Sequence, residues 1–194
     1  FNFVYSDKDG NIAFIHNSMT PVRIPGYNWH NYLPGDKSSL IWDSYISFEK
    51  LPMVINPSSG YLISANQSPF FVTSDKDNPD RKNYSDEDGF PTRMTNRAVR
   101  GLELLSELDK IDERTFSAIK HDKKYSKNSR AYKYLEKAML ADLGDLNTQK
   151  HEIYANAQTI LKKWDLSTDK NNRGAALGTC IIGAEWLAEQ QGEN

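Results

Sequence analysis

The side chains with the clearest chemical potential are the amides of Asn66 and Gln67, near the end of the segment NPSSGYLISANQSPF (56–70). Turn signals bracket this segment, because Asn-Pro and Ser-Ser-Gly open it and Ser-Pro closes it. Between the turns, residues 61–65 predict a short strand that delivers the two amides to its end. Amides at a strand end either form turns or donate hydrogen bonds to a ligand. The pattern alone leaves both interpretations open.

Other short motifs for catalysis or metal binding are incomplete. HEIYA (151–155) begins like the helical motif of zinc proteases, but Ala155 stands where the second histidine is needed. DKDGN (7–11) resembles the start of an EF-hand calcium loop, but its glycine is misplaced and a hairpin turn is the better prediction. The sequence has no Gly-rich phosphate loop and no Gly-x-Ser-x-Gly elbow. The four scattered histidines are interpreted as structural, so spacing alone indicates no particular reaction.

Composition restricts the class of protein. The chain has 194 residues, of which 38% are hydrophobic and 26% charged, so it can bury a core. Its net charge of −2 lacks the basic excess expected for nucleic-acid or membrane-surface binding, and we expect neither partner. No apolar run approaches the length of a membrane span. The single cysteine, Cys180, excludes an internal disulfide and a cysteine-rich zinc site.

The elements that must position the two amides fall into two segments, 1–91 and 92–194. The first is β-rich and full of turn signals, and the second contains no proline and predicts helices. Two β-rich runs, 1–6 and 11–16, flank Asp-Lys-Asp-Gly and predict a β-hairpin. A long irregular stretch follows over 17–60, and we expect its aromatic residues to pin it to the body of the protein.

Two further features of the chain concern its acidic loop and its helices. The Asp-rich residues 74–90 could offer carboxylates to calcium, but a solvated surface loop is the favoured interpretation. Thr95 is expected to cap the first helix, Phe116 and Ile119 to face inward on the second, and the last, most apolar helix to be central. The five predicted helices lie at about 92–108, from Asp112, and at about 129–143, 148–164 and 173–190. The predicted class is α+β: a hairpin, strands and a long wrapped loop, followed by a helical bundle.

An ordered set of motifs resembles the penicillin acylase family. Residues 1–71 carry YSDKDGNIAFIHNSMTPVR, then PGD, LP and NPSSGYLISANQSPF, and weaker similarity continues in NRAVRGLELL (96–105), HDKKYS (121–126) and WD (164–165). This family contains penicillin, cephalosporin and acyl-homoserine-lactone acylases, which are N-terminal-nucleophile hydrolases. The resemblance implies that the chain is part of an αββα fold. It also implies a parent enzyme that cleaves the acyl amide bond of a small molecule.

The resemblance implies roles for two residues, Asn66 and Arg97. In such enzymes the N-terminal residue of a mature chain attacks the amide with its own α-amino group as base, and preorganised donors hold the oxyanion. Asn66 matches the family's side-chain oxyanion donor, which makes 61–65 the oxyanion-hole strand. Arg97, in the next helix, matches an arginine that helps hold the nucleophile's surroundings or the asparagine. A turn role for Asn66 and a surface or salt-bridging role for Arg97 stay open, and Gln67 is a weaker candidate for a supporting role.

The resemblance also implies one metal. Some family members bind calcium through an aspartate after this asparagine and an earlier backbone carbonyl. Asp77 and the carbonyl of Trp29 match those positions, and the family's other ligands lie upstream. The resemblance therefore makes Asp77 the candidate ligand of a structural calcium ion in this chain, with a solvated loop as the alternative.

The chain also departs from the family pattern. Phe1 is not a nucleophile, and the family's catalytic residue, its following histidine and its backbone oxyanion donor lie upstream. We expect an internal piece of an acylase, inactive in isolation, whose partners are a small-molecule amide and the remaining segments of the same precursor. A periplasmic or secreted location is implied by the resemblance. The alternative is a non-catalytic scaffold of the same ancestry, with the aromatics of 27–48 as its binding surface.

Overall fold

The computed structural model describes residues 1–190, with side chains described through residue 188. The chain divides into two compact units, one over residues 1–94 and one from residue 95 onward. The described residues hold three strands in the first unit and five α-helices in the second, which agrees with the predicted α+β class.

The first unit contains a three-stranded antiparallel sheet in the order β1-β2-β3, formed by Asn2–Ser6, Ile12–His16 and Met53–Ile55. The first two strands are the predicted hairpin, with Val4 opposite Phe14. The third was not predicted, because three residues inside a proline-rich stretch carry too little periodicity to reveal a strand. Pairing with β2 defines it, through Val54 opposite Phe14.

The hairpin turn uses its first aspartate as a structural acceptor. The Asp7 carboxylate accepts hydrogen bonds from the backbone N–H groups of Asp9 (3.0 Å) and Asn11 (2.8 Å). Gly10 adopts φ +86°, a conformation open to glycine at little cost. The DKDGN segment therefore forms the turn that its sequence predicts.

Two small apolar clusters form the core of the first unit. Phe14 and Val72 are completely buried and pack with Val54. A second cluster contains Leu51, Phe70 and Phe90. Residues 67–70 are all buried, so the end of the segment singled out above lies in this core.

The long stretch over 17–60 is held differently from the expectation. The Arg23 guanidinium lies 5.6 Å and 5.7 Å from the ring centroids of Trp29 and Trp42, which anchors part of it. Backbone bonds between residues 20–22 and 44–46 fix it further. The prediction that the aromatics pin this stretch to the body of the protein does not hold for all of them, since three other rings are half or fully exposed: Tyr32, Tyr45 and Phe48.

The second unit contains five helices: α1 (Asn96–Ser106), α2 (Glu113–Lys120), α3 (Arg130–Leu140), α4 (Thr148–Lys163) and α5 (Arg173–Gln190). The predicted Thr95 cap is confirmed, because its side chain accepts a hydrogen bond from the Ala98 N–H. A reciprocal pair between Asp112 and Thr115 caps α2. The prediction that Phe116 faces inward is wrong, since the residue is 58% exposed.

Helix α5 packs against both α3 and α4 and leaves one face exposed. Its Gly174 and Gly178 lie against the buried Trp164, where an added Cβ would collide with the indole. Near its C-terminal end, α5 exposes about half of Trp186 and of Leu187. The prediction of a central α5 holds for its contacts with both α3 and α4 and fails for its exposed face, because overall apolarity does not tell how many faces find a partner. None of the helices in the described range has the length and hydropathy needed to cross a membrane.

Candidate functional site

Asn66 lies at the surface of the first unit with a left-handed backbone. Its φ is +62°, and the residue is exposed. Asparagine tolerates this conformation better than most residues with a side chain. The exposed position keeps a chemical role open for Asn66.

The predicted strand over residues 61–65 is wrong. The Ile63 N–H donates to the Val72 carbonyl (2.8 Å), but no strand forms in this segment. Side chains satisfy the next backbone groups and bend the chain, because a strand requires a continuous ladder that the local sequence cannot guarantee. Asn66 is therefore presented by an irregular turn.

Gln67 is the side chain that organises this turn. Its amide is buried, with 3% of the residue exposed. Its Oε1 accepts from the Ala65 N–H (2.6 Å), and its Nε2 donates to the carbonyls of Ile63 (2.8 Å) and Phe71 (3.2 Å). Sequence reasoning gave Gln67 only a weak supporting role. The signal available in the sequence was a long amide side chain directly before Ser-Pro and two aromatic residues.

The chain after Asn66 is held by the Asn78 side chain and by a backbone hydrogen bond of Ser68. The Asn78 Oδ1 accepts from the N–H groups of Val72 (2.7 Å) and Thr73 (3.1 Å). The Ser68 N–H donates to the Arg93 carbonyl (3.0 Å). Side-chain amides thus bond the backbone on both sides of Asn66.

Asp77 fastens the NPSSG turn to the following loop. Its Oδ2 accepts from the Ser58 hydroxyl (2.8 Å), the Ser59 N–H (3.2 Å) and the Ser74 hydroxyl (3.2 Å). The hydrogen bond from Ser58, helped by those from Ser59 and Ser74, holds the Asp77 pKa below its usual range against a smaller opposing effect of desolvation. Asp77 is thus a structural acceptor, a role that the sequence did not indicate.

A calcium ion at Asp77 would need oxygen ligands beyond this one carboxylate. Calcium takes six to eight oxygen ligands. Within residues 1–190, no group of three or more His, Cys, Asp or Glu side chains could hold a metal ion. Ligation of calcium by Asp77 and the Trp29 carbonyl stays a prediction.

Arg97 lies in the first turn of α1 in the second unit, and it is exposed. The next turn of this helix is anchored, because the Arg100 guanidinium donates to both Asp122 carboxylate oxygens (3.1 and 3.2 Å). Partial burial raises the Asp122 pKa, but hydrogen bonds from Arg100 and the Lys124 N–H outweigh burial and leave that pKa lowered. Asn66 belongs to the first unit and Arg97 to the second.

The comparison with known proteins decides the family. The sequence matches the penicillin amidase family over residues 1–189. The chain belongs to the penicillin amidase family. It is also similar to penicillin G acylase of Escherichia coli, with 37% identity over 68 residues. That alignment covers 35% of this chain and 8% of the relative, so the chain corresponds to a small part of the relative's length.

Two of the four histidines of this penicillin amidase chain, His16 and His121, have structural contacts. The half-buried His16 packs edge-on against Phe90, and burial lowers its pKa. The His121 ring bonds the Ser117 carbonyl (2.8 Å) at the end of α2. A cavity of about 70 Å³ in the second unit is lined by Leu135, Trp164 and neighbouring residues, and none of the predicted site residues lines it.

Proposed function

We propose that this chain is part of an N-terminal-nucleophile amide hydrolase in which Asn66 donates a hydrogen bond to the oxyanion. Membership of the penicillin amidase family supports the hydrolase class. The observation that carries the role of Asn66 is its exposed, left-handed position on a turn whose backbone is bonded on both sides, by the buried amide of Gln67 and the half-buried amide of Asn78. Catalytic donors must be preorganised in this way to stabilise developing charge.

The chemistry assigned to Asn66 follows from its side chain. When a nucleophile adds to the carbonyl carbon of an amide, negative charge develops on the carbonyl oxygen. The Asn66 Nδ2 donates to that oxygen, and as a neutral group it keeps its donor over the whole working pH range. In this proposal Arg97 helps hold the nucleophile's surroundings or Asn66.

The remaining segments of the same precursor supply the nucleophile and the rest of the site in this proposal. The substrate is a small-molecule amide such as a β-lactam or an N-acyl-homoserine lactone, the location is periplasmic or secreted, and Asp77 ligates calcium together with residues of those segments. We expect the 194-residue chain alone to show no hydrolysis, because it contributes one donor of an oxyanion hole without the attacking group.

Replacing Asn66 in the parent enzyme tests the proposal. Asn66→Ala is expected to cost about 3 kcal/mol of transition-state stabilisation, roughly a hundredfold or more in kcat, with little change in KM. Asn31→Ala, at another exposed asparagine of the first unit, serves as the matched control and keeps wild-type rates. Wild-type kcat for Asn66→Ala would end the assignment.

A non-catalytic scaffold is the second candidate function, and the exposed aromatics favour it. Tyr32 is fully exposed, and Tyr45 and Phe48 are half exposed, as a binding surface requires. The two functions differ in the residue that begins the mature nucleophile-bearing chain of the parent. Mass spectrometry of that chain distinguishes them: Ser, Thr or Cys supports the enzyme, and any other residue supports the scaffold.

A further inference from the structure

We propose that Gln67 is a positioning residue that holds Asn66 in the conformation in which it meets the oxyanion. This inference rests on the proposed function of Asn66 and deepens it. Gln67 itself contacts backbone only in the hydrogen bonds described above, so it acts through the turn and not on the substrate.

The contacts of Gln67 surround Asn66 along the chain. Its Oε1 accepts from Ala65, the residue directly before Asn66 (2.6 Å). Its Nε2 bridges Ile63 (2.8 Å) and Phe71 (3.2 Å), which lie on the two arms of the turn. One side chain thus connects both arms and also fixes the amide that leads into Asn66.

The backbone of Asn66 needs such a support. A non-glycine residue in the left-handed region persists where the surrounding structure over-determines it. The Asn66 φ of +62° is set between a restrained Ala65 and the buried Gln67. Loss of the Gln67 amide would remove one of the links between the two arms, beside the bond from Ile63 to Val72, and take away the acceptor of the Ala65 N–H, so the turn around Asn66 would loosen.

Few side chains could replace Gln67 in these hydrogen bonds. The site uses one acceptor and two donors from a single buried side chain, which a carboxamide supplies and a carboxylate or thioether does not. Methionine matches glutamine in length but cannot bond the three backbone groups. Asparagine keeps the amide but is one methylene shorter, so it cannot reach both arms.

A double-mutant cycle in the parent acylase tests the inference. We expect Gln67→Met to lower kcat about tenfold or more with KM nearly unchanged, because a small displacement of a preorganised donor has a large kinetic effect. In the Asn66→Ala background, the same substitution is expected to leave kcat unchanged while lowering Tm as much as in the wild type. Coupling of this kind distinguishes positioning from general destabilisation.

Gln158→Met is the matched control. Gln158 also donates its amide to two backbone carbonyls, those of Ala138 (3.1 Å) and Ala141 (2.9 Å), but it lies in the second unit. Its replacement is expected to lower Tm without changing kcat. If Gln67→Met does not fold, Gln67→Asn enters the same cycle and is expected to show a smaller, equally coupled loss of kcat.

Two results would overturn the inference. One is wild-type kcat in a folded Gln67 variant, and the other is an equal fold-loss of kcat in the wild-type and Asn66→Ala backgrounds. A failure of the proposed function has a different signature, because Asn66→Ala alone would then retain wild-type kcat, and the role of Gln67 would fall with it.

Discussion

Asn66 and Asp77 show at the scale of single residues how polar side chains build this segment. Asn66 occupies a left-handed position beside the buried Gln67, and Asp77 gathers two serine hydroxyls and one backbone N–H. The resemblance to the acylases pointed to Asn66 as a donor from its place after NPSSG. The spacing could not reveal the bonds of Asp77 to Ser58 and Ser59, because they join residues 19 and 18 positions apart; those of Gln67 are local but depend on the irregular turn that the sequence did not predict.

Asp77 carries a pH prediction. Because the hydrogen bond from Ser58 and its companions lower the Asp77 pKa in the folded state, ionised Asp77 stabilises the protein above the unfolded pKa. This stabilisation is lost as pH falls through the lower, folded-state pKa of Asp77, so the loss occurs below about pH 4. Asp77→Asn is expected to lower Tm at pH 7, with the difference from wild type shrinking in acid. Thermal unfolding of both proteins between pH 7 and pH 3 measures this difference in Tm.

Asp36→Asn, at an exposed carboxylate of the same unit, is the control for Asp77. We expect it to change Tm little at any pH. A difference between Asp77→Asn and wild type that persisted unchanged at pH 3 would contradict the role assigned to the ionised carboxylate.

The elements were predictable where their signals are local. The hairpin with its Asp-Gly turn and the capped start of α1 follow from short-range chemistry, and the structure confirms them. The third strand, the irregular segment 61–65 and the exposed side of α5 depend on tertiary pairing. Periodicity in one segment does not say whether a partner is available, so these features could not be predicted from the sequence.

Two glycines in α5 give a prediction at the scale of this element. Gly178→Ala is expected to destabilise the protein by about 1–3 kcal/mol, because its Cβ would overlap the Trp164 ring in a packed core. Gly183 has open space around its Cβ position, so Gly183→Ala is expected to be neutral or stabilising by up to about 1 kcal/mol. Urea denaturation of both variants measures the difference, and equal stabilities would contradict this packing of α5 on Trp164.

The whole molecule is a penicillin amidase family chain with two compact units and apolar groups on its surface. Phe3, Tyr5 and Ile55 of the small sheet are more than half exposed, as are Trp186 and Leu187 of α5. Large exposed apolar side chains in such numbers are typical of surfaces that contact other protein. This observation agrees with the proposal that further segments of the parent pack against this chain.

The affinity of the parent enzyme for a tetrahedral, anionic transition-state analogue tests the role of Asn66 most directly. We predict that Asn66→Ala weakens binding of such an analogue about a hundredfold while KM for the amide substrate changes less than about twofold, because the donor acts on charge that exists only in the transition state. Equal affinity of wild type and Asn66→Ala for the analogue, or an equal loss for analogue and substrate, would contradict the account.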